Sequence, residues 1–279
     1  MSLWTAWQLV PAAERAARET ALEHLAEDGF VVTSREVSRD GPWRIEIFGE
    51  GDRPALHGDW TWEELPDKDW VAENQRSFRP FRVGRFWVHP SHVAGGIPPE
   101  LIALRIDAGL AFGTGTHATT RGCLEILSTL DPAETKNTVD VGCGTGILAM
   151  AAARLWHRPI LGGDNDAQAV GVAIENAALN GVADLCRFFT SVGLEAPELS
   201  KPAPYDLVIA NILAGPLMAL SDSFAPAIRP GGRVLLSGLL VEQAGLMLST
   251  YQRRGFEFER RIDLETGGAW WRTLLLRKQ

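Results

Sequence analysis

The chain has 279 residues, a length for one large domain or two small ones. At 46% apolar and 22% charged it lies in the globular range, which excludes wholesale disorder, and no apolar run approaches the roughly 18–20 residues of a membrane helix. A net charge of −8 excludes the basic footprint of a general nucleic-acid binder and suits a basic protein partner. Cys123, Cys143 and Cys186 are widely spaced and make neither a disulfide framework nor a metal-binding pair, and Met1-Ser2-Leu3-Trp4 lacks the basic start of a secretory leader. Together these features lead us to expect a cytoplasmic protein without membrane contact.

Composition shifts along the chain. Seven of the ten tryptophans precede residue 90, whereas glycine clusters at 113–115, 142–146, 162–163, 231–232 and 267–268. Helix- and strand-breaking residues concentrate at Arg79-Pro80, His89-Pro90 and Gly95-Gly96-Ile97-Pro98-Pro99, so the expected organisation is a domain over 1–78, a linker over 79–95 and a second domain over 96–279. In the first part, Trp4–Val10 reads as a strand, and Pro11 opens a helix with Ala16, Leu22 and Leu25 on its apolar face, ending at Gly29. Val31–Val37 and Trp43–Phe48 read as a hairpin around Asp40-Gly41. A helix over 67–75 and a strand Phe86–His89 complete a β-α-β-β-α-β order, that of a small α+β, ferredoxin-like sandwich.

The second part alternates. A helix over 117–130 leads to a strand at Thr138–Val141, a glycine loop and a helix over 147–155. Strands follow at Ile160–Gly163, Leu185–Phe189, Asp206–Ile209 and Arg233–Leu236, interleaved with helices over 167–180, 215–228 and 241–254. The last strands, near 256–263 and 270–277, have no helix between them and should form an antiparallel hairpin at one edge. The expected fold is α/β, a doubly wound, seven-stranded Rossmann-like sheet.

Val139-Asp140-Val141-Gly142-Cys143-Gly144-Thr145-Gly146 closes an apolar strand and opens a helix, where open α/β sheets bind ligands. Asp164 lies 22 residues after Gly142 at the end of the next strand, placed to accept hydrogen bonds from both hydroxyls of a ribose. A dinucleotide loop reads G-x-G-x-x-G and faces a pyrophosphate with its helix N-terminus. Here the spacing is G-x-G-x-G and Asp140 precedes it, an acid that repels pyrophosphate and suits the cationic amino group of a methionine moiety. The pattern reads as an S-adenosylmethionine site, with a nicotinamide enzyme and a purely structural glycine turn as the other readings. Asn165, following the ribose acid, leaves the adenine contact unassigned.

Two further segments carry chemistry. Gly109–Thr120 is glycine-rich and ends in Thr-x-Thr-Thr before a helix, offering backbone N–H groups and hydroxyls to a carboxylate or a cover for the cofactor. His117 within it reads as a local cap rather than a base. Asn211, at the carboxyl end of the fourth strand, faces the same crevice, and its amide oxygen can orient an amine nucleophile. Taken in isolation it also reads as a helix cap.

Ala111–Thr120 (AFGTGTHATT), Asp140–Gly146 (DVGCGTG), Gly163–Asp166 (GDND) and Ala210–Pro216 (ANILAGP) together closely resemble the PrmA family, methyltransferases of ribosomal protein L11. The likeness continues through Pro230-Gly231-Gly232 and Leu236-Ser237-Gly238 and covers most of residues 80–279, while the first part fits by order of elements and length. The resemblance implies cofactor contacts at Thr120, Gly142, Asp164 and Asn211; Asn211, through the aligning role of its amide oxygen, is also the candidate catalytic residue. Phe112, Gly113, Asp140 and Gly144, in the same two glycine segments, complete the candidate cofactor-binding set. Ala118 stands where the family commonly has proline, and Asn165 where it commonly has an apolar residue. The implied reaction is methylation of α- and ε-amino groups of ribosomal protein L11, free or on the large ribosomal subunit. S-adenosyl-L-methionine is the implied donor and S-adenosyl-L-homocysteine the product, with no metal and a monomeric enzyme. The rival readings are a class I methyltransferase for another protein lysine or a small molecule, and a non-catalytic cofactor-sensing or ribosome-binding module. Acids outnumber basic residues nine to four between 39 and 69, amid Trp60, Trp62 and Trp70, which makes residues 1–78 the expected recognition domain for a basic protein.

Overall fold

The structure, a computed structural model, describes residues 3–22, 25, 30–37, 41–64, 79–93, 95–106 and 116–279. The chain divides into two compact units, Met1–Glu73 and Asn74–Gln279. No helix among the described residues is long and apolar enough to cross a membrane.

In the first unit β1 (Leu3–Val10), β2 (Val31–Glu36), β3 (Trp43–Glu50) and β4 (Thr61–Glu64) form an antiparallel sheet in the order β2-β3-β1-β4. The expected hairpin is the β2–β3 pair, and a helix at Arg15–Leu22 follows β1. Trp4, Ala6, Val10, Ile45 and Ile47 alternate along the strands onto one face and pack with Leu22 and Leu25. Trp60 and Trp62 are half-buried against this core, and the Trp62 ring lies 5.1 Å from that of Trp4. They contribute to the unit's own packing. The helix expected over 67–75, Trp70, Asp40 and the expected helix end at Gly29 lie outside the described residues.

One expected strand belongs elsewhere. Phe86–His89 (β6) does not complete the first sheet. It pairs with β5 (Phe81–Val83) and, in parallel, with β7 (Ile102–Arg105). Val83, Phe86, Val88 and Leu104 are buried in the same apolar cluster as Leu124, Ile147 and Met150. The segment expected as a linker over 79–95 is therefore partly wall of the second unit; its proline and glycine signals mark strand ends rather than a flexible joint.

The main sheet consists of β8 (Thr138–Val141), β9 (Ile160–Asp164), β10 (Cys186–Thr190), β11 (Tyr205–Asn211), β12 (Ile228–Leu240), β13 (Phe256–Thr266) and β14 (Ala269–Lys278). Its order is β10-β9-β8-β11-β12-β14-β13. The first five strands are parallel, and β14 enters antiparallel between β12 and β13. Alternation sends Leu207, Ile209, Leu235 and Leu275 to one face and Val208, Ala210, Val234, Leu236 and Leu276 to the other, so β11, β12 and β14 supply both cores. The helix Ile147–Trp156 carries four alanines, small enough to lie flat on the central strands, and Ala149, Ala151, Ala152 and Ala153 are fully buried. The strand order reverses between β8 and β11, and a topological switch point opens there.

Candidate active site

The glycine loop after β8 is tied to its own chain. Gly142 and Cys143 N–H donate to the Gly163 carbonyl at 2.8 and 3.0 Å, and Gly146 N–H donates to the Cys143 carbonyl at 2.8 Å. Gly144 N–H donates to Asp164 Oδ2 at 2.8 Å, and Asp166 N–H reaches Asp164 Oδ1 at 3.1 Å. A pyrophosphate site would leave such N–H groups free for the ligand. Here they are used internally, and a carboxylate already occupies the loop, which weighs against the nicotinamide reading. The conformation requires glycine: Gly142, Gly144 and Gly146 have φ of 73°, 52° and 78°, and a Cβ on Gly142 would meet Ile212 Cγ2 at 2.2 Å.

A cavity of about 460 Å³ opens at the switch point, within the range of small-molecule sites. It gathers Thr120, Gly142, Gly144, Asp164 and Asn211, residues drawn from four separate stretches of sequence. Asn211 ends β11, and its Nδ2 donates to Thr120 Oγ1 at 3.2 Å from the first turn of the helix Ala118–Leu127. That bond fixes the amide and leaves Oδ1 buried with no hydrogen-bond partner. His117 caps the helix, with Nδ1 2.9 Å from Thr119 Oγ1, and burial lowers its pKa, as suits a neutral local cap. Phe112 and Gly113 lie outside the described residues.

Asp140 does not line the cavity. Strand alternation turns it, between Val139 and Val141, toward the helix Ile147–Trp156, where its Oδ2 accepts the Ala149 N–H at 3.1 Å in the first turn. Its Oδ1 is buried without a partner. Burial pushes its carboxyl up to about 7, opposed by the Ala149 hydrogen bond and aided by the charge of Asp164. With the folded pKa above the unfolded one, stability is full at low pH and is lost as pH rises through about 7. The Asp140→Asn variant should therefore stabilise the free protein more at pH 8 than at pH 5, with a ceiling of about 4 kcal/mol. Urea unfolding at the two pH values measures this. Equal effects would contradict it.

Sequence reasoning missed the far wall. Trp271 on β14, Gly238 on β12, Ile212 and Leu213 also line the cavity, with Ile147, Leu148 and Cys143. Burial and the charges of Asp140 and Asp164 push the Cys143 thiol upward, so it is no nucleophile. Gly238 sits where the β12–β14 register shifts, at φ 88°, and a Cβ there would lie 2.1 Å from the Ile212 carbonyl oxygen. The bulge lets the loop after β11 approach β12. Only the Leu236-Ser237-Gly238 signature hinted at it in the sequence.

The family model described as "Ribosomal protein L11 methyltransferase (PrmA)" matches residues 44–278. The chain belongs to the ribosomal protein L11 methyltransferase family. The ribosomal protein L11 methyltransferase of Brucella abortus (strain S19) is 40% identical over 250 residues, 86% of this chain and 88% of that protein. That of Bradyrhizobium diazoefficiens is 40% identical over 240 residues, covering 86% and 80%. The crystal structure of a ribosomal protein L11 methylase from Lactobacillus delbrueckii subsp. bulgaricus superposes with a TM-score of 0.60 at 27% identity, covering 72% of this chain and 100% of that one. This methyltransferase thus has the class I, Rossmann-like sheet expected from its sequence, and the resemblance read from its motifs holds along most of the chain.

Proposed function

We propose that this methyltransferase transfers methyl groups from S-adenosylmethionine to amino groups of ribosomal protein L11, at the cavity over β8 and β11. The observation that carries the reading is the partnerless Asn211 Oδ1, fixed by Thr120 in the cavity that also holds Asp164. The cavity fits the donor: Asp164 offers acceptors to a ribose, the glycine cradle lets backbone approach a ligand, and Ile147 and Leu148 give apolar surface. Asp140, under the loop, contributes negative potential beneath the cationic end of the ligand. When bound, the donor supplies a methyl carbon on a positively charged sulfur, already activated for displacement by an amine lone pair.

The chain's own residues then have two tasks. The amine must be neutral, which for a lysine of pKa near 10.4 costs about 4–5 kcal/mol at pH 7 and far less for an α-amine near 7.7–8. Desolvation in the cavity favours the neutral form. Asn211 Oδ1 accepts a hydrogen from that amine and so aims its lone pair along the line of attack.

Asp164→Ala removes charge-assisted hydrogen bonds to the ribose and leaves Gly144 N–H without its partner. Cofactor affinity should fall by about 1.5–3 kcal/mol. Calorimetry returning wild-type affinity would remove Asp164 from the ribose site. We assign residues 1–78 the recognition of the ribosomal protein, on the acid excess between 39 and 69. Purified enzyme with labelled S-adenosylmethionine should put label into purified L11 and none into L11 whose amines have been blocked. Unlabelled L11, from enzyme shown to bind the cofactor, would overturn the function.

A further inference from the structure

The cavity lining follows the order of the sheet. Asp164 belongs to β9, Gly142 and Gly144 follow β8, Asn211 ends β11, Gly238 lies on β12 and Trp271 on β14. With neighbouring strands about 4.8 Å apart, the lining spans roughly 19 Å, and Trp271 lies two strands, roughly 10 Å, beyond Asn211. If ribose is held at β9 and the amine is aligned at β11, the β12–β14 end is on the acceptor's side. That end is aromatic and apolar: the His117 and Trp271 rings meet edge to face at 4.7 Å, and Leu213 at the rim is 71% exposed. Trp271 Nε1 is buried without a hydrogen-bond partner, a desolvation penalty that a phenylalanine would avoid.

We infer that Trp271, backed by His117 and faced by Leu213, forms the acceptor channel and packs the methylene stem of a lysyl side chain whose amine reaches Asn211. The inference rests on the proposed methyl transfer to L11 and adds the residue that reads the acceptor. An indole face suits both states of such a side chain. It covers the hydrocarbon stem while the tip points on, and it attracts the ammonium, methylated or not, through its ring quadrupole. Trp271 is a specificity residue here; Asn211 remains the group that touches the reacting nitrogen.

The test uses full-length enzyme, purified L11, and the variants Trp271→Ala and Trp271→Phe. Trp271→Ala should raise KM for L11 about tenfold, with kcat within about threefold and S-adenosylmethionine affinity unchanged by calorimetry. Trp271→Phe, which keeps an aromatic face, should restore most of the KM. A wild-type KM for L11 in Trp271→Ala would overturn the assignment, as would a fall in cofactor affinity that matches the rise in KM. A Phe variant as impaired as Ala would overturn it too, since the ring face would then not be the determinant. Wild-type enzyme that leaves L11 unmethylated would instead strike the proposed function itself, so the two failures are told apart.

Discussion

Asn211→Ala should lower turnover on L11 by about 100-fold or more while leaving S-adenosylmethionine affinity within a few-fold of wild type. The argument is positional. Asn211 closes β11 at the switch point, its Nδ2 is committed to Thr120 Oγ1 at 3.2 Å, and its Oδ1 is buried without a partner. A fixed acceptor with nothing to accept from is a group waiting for a donor, and an amine brings one. Alanine removes the acceptor, frees Thr120, and lets the amine rotate away from the line of displacement; the loss falls on the chemical step. Single-turnover kinetics at saturating cofactor, paired with calorimetry, separate the effects. If affinity collapses while the saturated enzyme turns over normally, Asn211 is a cofactor ligand and not an aligner.

A chain beginning at Asn74 should bind S-adenosylmethionine as the full chain does and fail to methylate intact L11. Every described residue lining the cavity lies in the unit Asn74–Gln279, and that unit holds both faces of the main sheet together with β5, β6 and β7. The first unit contributes none of the cavity lining named here and has the acid excess, with nine acids to four basic residues between 39 and 69. Long-range attraction of a basic protein is the role such a surface can fill. It predicts that raising salt lowers kcat/KM of the full chain on L11 through KM. A folded, cofactor-binding chain from Asn74 that methylates L11 at the full-length rate would end the recognition role.

Much of the second unit was legible because its elements are locally encoded. Continuous apolar strands, capped helices and punctuating glycines mark the seven strands in order, and the terminal pair without an intervening helix gave the antiparallel edge. Asp164 and Asn211 were read as strand ends, and the structure makes each the last residue of its strand and brings both to the cavity at the switch point. Asp140 lies one step before the end of its strand, where alternation directs its side chain toward the helix Ile147–Trp156 rather than into the cavity. Phe86–His89 was recognised as a strand but placed with the wrong partners. Its parallel pairing with Ile102–Arg105 depends on packing against the helices of the second unit, which local pattern does not encode. Trp271 has no motif around it, and it reaches the cavity only because β14 inserts beside β12. Trp60 and Trp62, which the sequence set amid acids, pack half-buried against the core of the small first unit.

The central claim is that this cavity methylates amines of L11, and the most direct measurement is the mass of L11 from cells lacking the gene, complemented with wild type or Asn211→Ala. The account predicts unmodified L11 in the deletion, restored methylation with the wild-type gene, and L11 close to unmodified with Asn211→Ala. L11 that carries its normal methyl groups in the deletion strain would contradict it.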